Sequence, residues 1–152
     1  DPAMLFFMFY LTNTNKNNGC LRVIPGSHLK YNLMHNSIKK HHSYYRLYNN
    51  PNDPVFKNVP DEIDVKSSIG DCIVGDSRLL HSAHSNQSKE TRVVITLWYY
   101  PDFNNLPSRI KSSTKHKWPS NWSINSRKKL LSFFPSHKKD DDAVAWNRIR
   151  KK

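Results

Sequence analysis

The run Arg92–Tyr100 (RVVITLWYY) constrains this chain more than any other. It is crowded with β-branched and aromatic side chains, and Pro101 stops it. Such residues pack well on a pleated surface and lose rotamer freedom along a helix, so the run reads as a strand. Ala3–Leu11 (AMLFFMFYL) is equally apolar and rich in rings, and reads as a strand buried on both faces.

Shorter runs at Cys20–Ile24, Ile63–Val65, Cys72–Val74 and Leu79–Ala83 are further strand candidates. Turn signals separate them: the polar Thr12–Gly19 segment, Pro25-Gly26, Gly70-Asp71, and a hairpin-type loop at Ser85–Glu90. No convincing helical period precedes residue 105. Short strands with turns between them predict a mainly β fold, a sandwich or barrel. Ser27–Pro60 has no sustained period. A loop of that length in a compact domain is a lid, a substrate wall or a disordered segment. Its Tyr31, Tyr44, Tyr45 and Tyr48 suggest an amphipathic lining. Beyond Pro107, Ser126 is expected to cap a short helix reaching Phe134. Asp140–Asp142 is expected to cap a second, Ala143–Arg150, with acids at its start and bases at its end.

Charge divides the chain. Residues 1–105 carry 11 basic and 9 acidic side chains, whereas residues 106–152 carry 13 and 3. The expected organisation is therefore a nearly neutral β domain over 1–105 and a basic extension over 106–152. Trp118, Trp122, Leu130, Leu131, Phe133, Phe134 and Trp146 are expected to anchor that extension on the barrel, leaving lysines in water. No zinc-finger, helix-turn-helix or RNP-like pattern accompanies the charge, so no specific nucleic-acid partner is expected. No apolar run reaches the ~18 residues of a membrane span. Two cysteines, Cys20 and Cys72, make neither a disulfide framework nor a Cys-rich zinc site, and the default setting is reducing and cytoplasmic.

Two residues stand out by spacing. His81 and Arg92 flank the polar Ser85–Glu90 loop, which predicts consecutive strands of an antiparallel pair. Arg92 begins an otherwise apolar strand and shares a face with Val94, Thr96 and Trp98. Burying a guanidinium there is costly unless an anion meets it, and a carboxylate matches its planar fork. The competing reading is an Arg at a strand end, exposed or paired with Glu90. His81 fits a metal ligand or a satisfied core histidine. His84, three residues on, points to the opposite face and cannot share a metal with it unless the strand bends.

Two stretches resemble signatures of the phytanoyl-CoA dioxygenase family. One is Asn18-Gly19-Cys20-Leu21-Arg22-Val23-Ile24-Pro25-Gly26-Ser27-His28. The other runs from Gly70-Asp71 through Asp76-Ser77-Arg78-Leu79-Leu80-His81-Ser82-Ala83-His84-Ser85-Asn86 to Arg92. The resemblance spans residues 3–101. It implies a double-stranded β-helix (a jelly-roll, cupin-like barrel) that binds Fe(II) and the co-substrate 2-oxoglutarate, with ascorbate as a candidate reductant. The implied reaction hydroxylates a small organic molecule and releases succinate and CO2. By the same resemblance, His81 is the second histidine of a 2-His-1-carboxylate triad. Arg92 pairs with the far carboxylate of 2-oxoglutarate, while Ala83 and Met8 lie near the co-substrate. His28 reads as a structural turn residue bonding nearby backbone.

One departure matters. The family's first histidine and its carboxylate form an H-x-D/E motif, and no histidine of this sequence has Asp or Glu two residues on. One triad ligand of three is present. A natural domain seldom opens on its buried strand, so the chain is expected to be a fragment lacking its N-terminal part and inactive as it stands. The oligomeric state is open. The alternative is a degenerate cupin-like binding protein without oxygenase activity.

Overall fold

The apolar runs become strands in the computed structural model, which describes residues 2–37, 50–111 and 121–132. The strands are β1 (Leu5–Tyr10), β2 (Leu21–Val23), β3 (Ile63–Val65), β4 (Cys72–Asp76), β5 (His81–Ala83) and β6 (Val94–Tyr99). They form two three-stranded antiparallel sheets, ordered β4-β1-β6 and β3-β2-β5. From β3 onward the chain alternates sheets strand by strand. The fold is thus mainly β, with few helices.

This alternation corrects one expectation. β5 and β6 are consecutive but unpaired, since β5 pairs with β2 and β6 with β1. The intervening loop folds on itself and crosses between sheets. The Asn86 carboxamide oxygen accepts from Ser88 N at 2.9 Å and from the Ser88 hydroxyl at 2.7 Å. The Asn86 side-chain amide donates to Glu90 O at 2.7 Å, and Gln87 N donates to Asn17 O at 2.8 Å. These bonds replace the ladder a hairpin would have made.

Register decides which side chains meet. Phe6 sits opposite Gly75 on one side and Trp98 on the other. A methyl at Gly75 would overlap the Phe6 ring. Phe6 also packs on His81 of the second sheet, ring centroids 4.8 Å apart. The Phe6–Met8–Tyr10 side of β1 therefore faces the His81 side of β5. Phe6 and Tyr10 are each 1% exposed, while Phe9, on the other side, is 37% exposed. Val74, Ile95, Leu97 and Tyr99 share that outer side and are exposed too. β1 is therefore buried on one face, not on both. Among the described residues no layer covers the outer one.

On the second sheet Arg22 points the other way from His81 and is buried, with its fork filled. It donates to Val55 O at 2.7 Å and Lys57 O at 3.0 Å and pairs with Glu62 at 3.2 Å. A buried guanidinium needs this saturation. It pins the 3₁₀ turn Pro54–Phe56, whose N-terminus Asp53 caps by accepting from Val55 N. The long polar segment also holds the helical turn α1 (Met34–Ser37). Tyr44, Tyr45 and Tyr48 lie outside the described residues.

The chain divides into two compact units, Asp1–Pro101 and Asp102–Lys152. In the second, a 3₁₀ turn (Phe103–Asn105) is followed by α2 (Ser108–Lys111) and α3 (Ile124–Leu131). The cap of α3 is Ser123, not Ser126. The Ser123 hydroxyl accepts from Ser126 N at 3.1 Å, and the helix ends short of Phe134. Serine outside the first turn satisfies orphan amides, whereas serine within it cannot. Of the expected anchors, Trp122 and Leu131 are exposed and Leu130 is half-buried. Trp118, Phe133, Phe134, Trp146 and the expected helix Ala143–Arg150 lie outside the described residues. No helix among the described residues is long and apolar enough to cross a membrane.

Two outcomes follow from this packing. Phe6→Ala should lower the unfolding free energy by ~3–5 kcal/mol, measured by denaturant titration, because a buried ring is replaced by a cavity. Asp76 is held below the usual carboxylate range, first by its hydrogen bonds from Arg78. Its contribution is therefore present above the unfolded value of about 3.9 and lost as pH falls through the lower folded value. Arg78 is half-exposed, so Asp76→Asn should cost only ~0.2–1 kcal/mol at neutral pH. The difference from wild type should vanish in strong acid.

Candidate active site

His81 opens β5 opposite Val23, with its ring against Phe6. Its Nδ1 lies 2.7 Å from Leu79 O. A carbonyl only accepts, so Nδ1 carries the proton and Nε2 keeps a free lone pair. This is the tautomer a metal-binding imidazole needs, and a backbone carbonyl is a common partner for fixing it. Ala83 is two residues on, shares the face of His81, pairs with Leu21 and is exposed.

Met8 lies on the inward side of β1, half-buried, and its sulfur accepts from the Tyr10 hydroxyl at 3.8 Å. Tyr10 is a candidate site residue that sequence reasoning missed. The signal was available: Phe6, Met8 and Tyr10 recur with the strand period of two. Burial pushes the Tyr10 phenol up, and the positive charge of nearby Arg92 opposes that shift.

Arg92 lies two residues before β6. Flanking bonds fix the backbone there: Leu11 N donates to Val93 O at 3.0 Å, and Val93 N to the Thr12 hydroxyl at 3.0 Å. Arg92 is half-buried. The ion pairs among the described residues are Arg22–Glu62, Arg78–Asp76 and His84–Asp64, so the guanidinium is not spent on Glu90. Gly19 makes room beside it. Its φ is +90°, and an added Cβ would lie 2.8 Å from His84 O and 3.6 Å from Arg92 Nε.

His84 points to the opposite face from His81, as the strand period requires. Its Nε2 meets Asp64 Oδ1 at 2.5 Å, and this bond holds the Asp64 carboxyl below the usual range. His28 does not behave as expected. Its Nδ1 is buried without a hydrogen-bond partner, while the neighbouring Ser27 hydroxyl takes the turn-bonding role and accepts from Leu80 N at 2.8 Å. A hydroxyl rotates to suit a nearby amide; a ring held by its own packing cannot.

The family model of phytanoyl-CoA dioxygenase (PhyH) matches residues 1–94. The chain belongs to the phytanoyl-CoA dioxygenase family. No curated protein matches the sequence. Among solved structures, apo HygX from Streptomyces hygroscopicus aligns with a TM-score of 0.50 at 18% identity, covering 67% of this chain and 38% of HygX. HygX with nickel and 2-oxoglutarate bound aligns equally, with 37% of HygX covered. AviO1 from Streptomyces viridochromogenes aligns at 26% identity and a TM-score of 0.44, over 64% of this chain and 37% of AviO1. The chain thus spans under two-fifths of the length of these structures.

The donor set fits an iron centre only in part. His81 offers one ligand atom in the required tautomer. Among the described residues, the group of three His, Cys, Asp or Glu side chains close enough to share an ion is Cys20, Asp64 and His84, and it excludes His81. The H-x-D/E pair is missing from the sequence.

The crowding at Gly19 sets a test. Gly19→Ala should destabilise the protein by ~1–3 kcal/mol in denaturant unfolding, since both the positive φ and the contact with His84 O oppose a side chain.

Proposed function

We propose that this chain is the part of an Fe(II)/2-oxoglutarate-dependent dioxygenase that carries the second histidine ligand and the co-substrate arginine. The full protein would hydroxylate a small organic molecule. The two sheets would be the facing layers of a double-stranded β-helix, a reading supported by the sheet-to-sheet alternation of β3, β4, β5 and β6. The observation that carries the proposal is the His81 ring: inward, set against Phe6, with Nδ1 donating to Leu79 O and the Nε2 lone pair left for a metal.

Iron(II), 2-oxoglutarate and dioxygen would supply the oxidation when bound, placing one oxygen atom in the substrate and the other in succinate as CO2 is lost. The residues of this chain do the rest. His81 Nε2 would hold one metal position. The Arg92 fork would orient the far carboxylate of the 2-oxo acid, with Tyr10 and Met8 forming the adjoining wall and Ala83 leaving space beside it. The apolar Phe6–Met8 side of β1 would line that end of the pocket. The triad's first histidine and carboxylate are required from sequence outside these 152 residues. The ligand count also supports a second reading, a cupin-like binding protein without oxygenase activity.

The test compares this chain with one extended to include an H-x-D/E segment, loaded with iron without oxygen and then exposed to air. Succinate should form only from the extended chain. In it, His81→Ala should abolish turnover, whereas His84→Ala should largely spare it. Arg92→Lys should weaken 2-oxoglutarate dependence roughly ten- to hundredfold, the worth of a charged bidentate contact. Iron-dependent succinate from this chain alone, or unchanged 2-oxoglutarate dependence in Arg92→Lys, would overturn the assignment.

A further inference from the structure

The outward side of the second sheet carries a cluster that the proposed oxygenase reading does not use. Cys20 immediately precedes β2, Asp64 is the middle residue of β3, and His84 immediately follows β5. β2 is the central strand, so three neighbouring strands each contribute one side chain. The backbone holds two of them in register, since His84 N donates to Cys20 O at 3.0 Å. One ligand atom from each of the three lies within 4.8 Å of the other two. Cys20 is fully buried, while the side chains of His84 and Asp64 are 12% and 28% exposed. The cluster is therefore closed at the thiol and open to solvent at the carboxylate.

We propose that Cys20, Asp64 and His84 form a divalent metal site of the zinc class, on the opposite face of the sheet from His81. Thiolate, imidazole and carboxylate are the donor types that zinc takes. Tetrahedral bonds of about 2.0–2.3 Å place neighbouring donors about 3.3–3.8 Å apart. The His84–Asp64 pair, at 2.5 Å, opens by about 1 Å to admit the ion, and the thiol closes onto it. A water completes the fourth position on the exposed side. Binding exchanges the Cys20 thiol proton for the ion and releases that proton to solvent.

The burial of the thiol beside a carboxylate supports this reading. A divalent ion converts that unfavourable pairing of two anionic groups into a neutral site. It would also cross-link β3, β2 and β5 on the face away from His81.

Cobalt(II) tests the site because a thiolate bound to it gives a charge-transfer absorption that oxygen and nitrogen ligands do not. The 152-residue chain, stripped with chelator, should develop that band with one cobalt per chain, and added zinc should bleach it. Cys20→Ser should abolish the band. Asp64→Asn and His84→Ala, at more exposed positions, should weaken cobalt binding at least about tenfold while far-UV circular dichroism reports an intact fold. Cys72→Ser and His81→Ala should leave the band in place. No thiolate band from folded wild-type chain overturns the site. So does a band that survives Cys20→Ser, or one lost in Cys72→Ser or His81→Ala.

Discussion

The Phe6 ring is where the two sheets meet. It lies over Gly75 within its own sheet, reaches Trp98 at 6.1 Å on the neighbouring strand, and packs on His81 of the other sheet at 4.8 Å. A ring of that size fits between the layers only because Gly75 has no side chain. Burial of the ring removes apolar surface from water at one of the largest rates per residue available to a small domain. The inward direction of β1, the register with β4 and β6, and the orientation of the candidate ligand His81 all follow from this contact. A slip of one residue in β1 would turn Phe6, Met8 and Tyr10 outward together.

The second sheet divides its chemistry by face. His81 and Ala83 point toward Phe6, whereas Arg22, Asp64 and His84 point away. A strand of three residues suffices for this separation because successive side chains alternate. The outward face is polar yet partly buried, and its Arg22 and His84 side chains both have polar partners. Arg22 is saturated by two carbonyls and Glu62, and His84 by Asp64. Arg92 differs. It is half-buried near Gly19, and its charge is engaged in none of the ion pairs among the described residues.

Much of this was legible in the chain. The runs at Ala3–Leu11 and Arg92–Tyr100 carry enough β-branched and aromatic residues to declare strands, and the turns declare where strands stop. The expectation for β1 failed on one face, because composition reports how apolar a strand is and not how many layers cover it. Exposed Phe9, Ile95 and Leu97 are as apolar as buried Phe6. The pairing of His81 with Arg92 strands failed for a related reason: a polar loop of hairpin length can equally cross between sheets. The helix cap was misplaced by one turn because Ser123 and Ser126 are chemically alike, and only backbone dihedrals distinguish them.

By itself, the sequence determined the strand-forming segments, the opposite facing of His81 and His84, and the family motifs. All three depend on local spacing and side-chain type, which a linear chain carries in full. Tertiary structure alone decided that β5 joins β2 and β6 joins β1, that Gly19 lies near Arg92, and that Cys20, Asp64 and His84 converge. Those residues lie far apart along the chain, and strand pairing selects their neighbours through the combined burial and hydrogen bonding of whole strands. No local pattern encodes that sum.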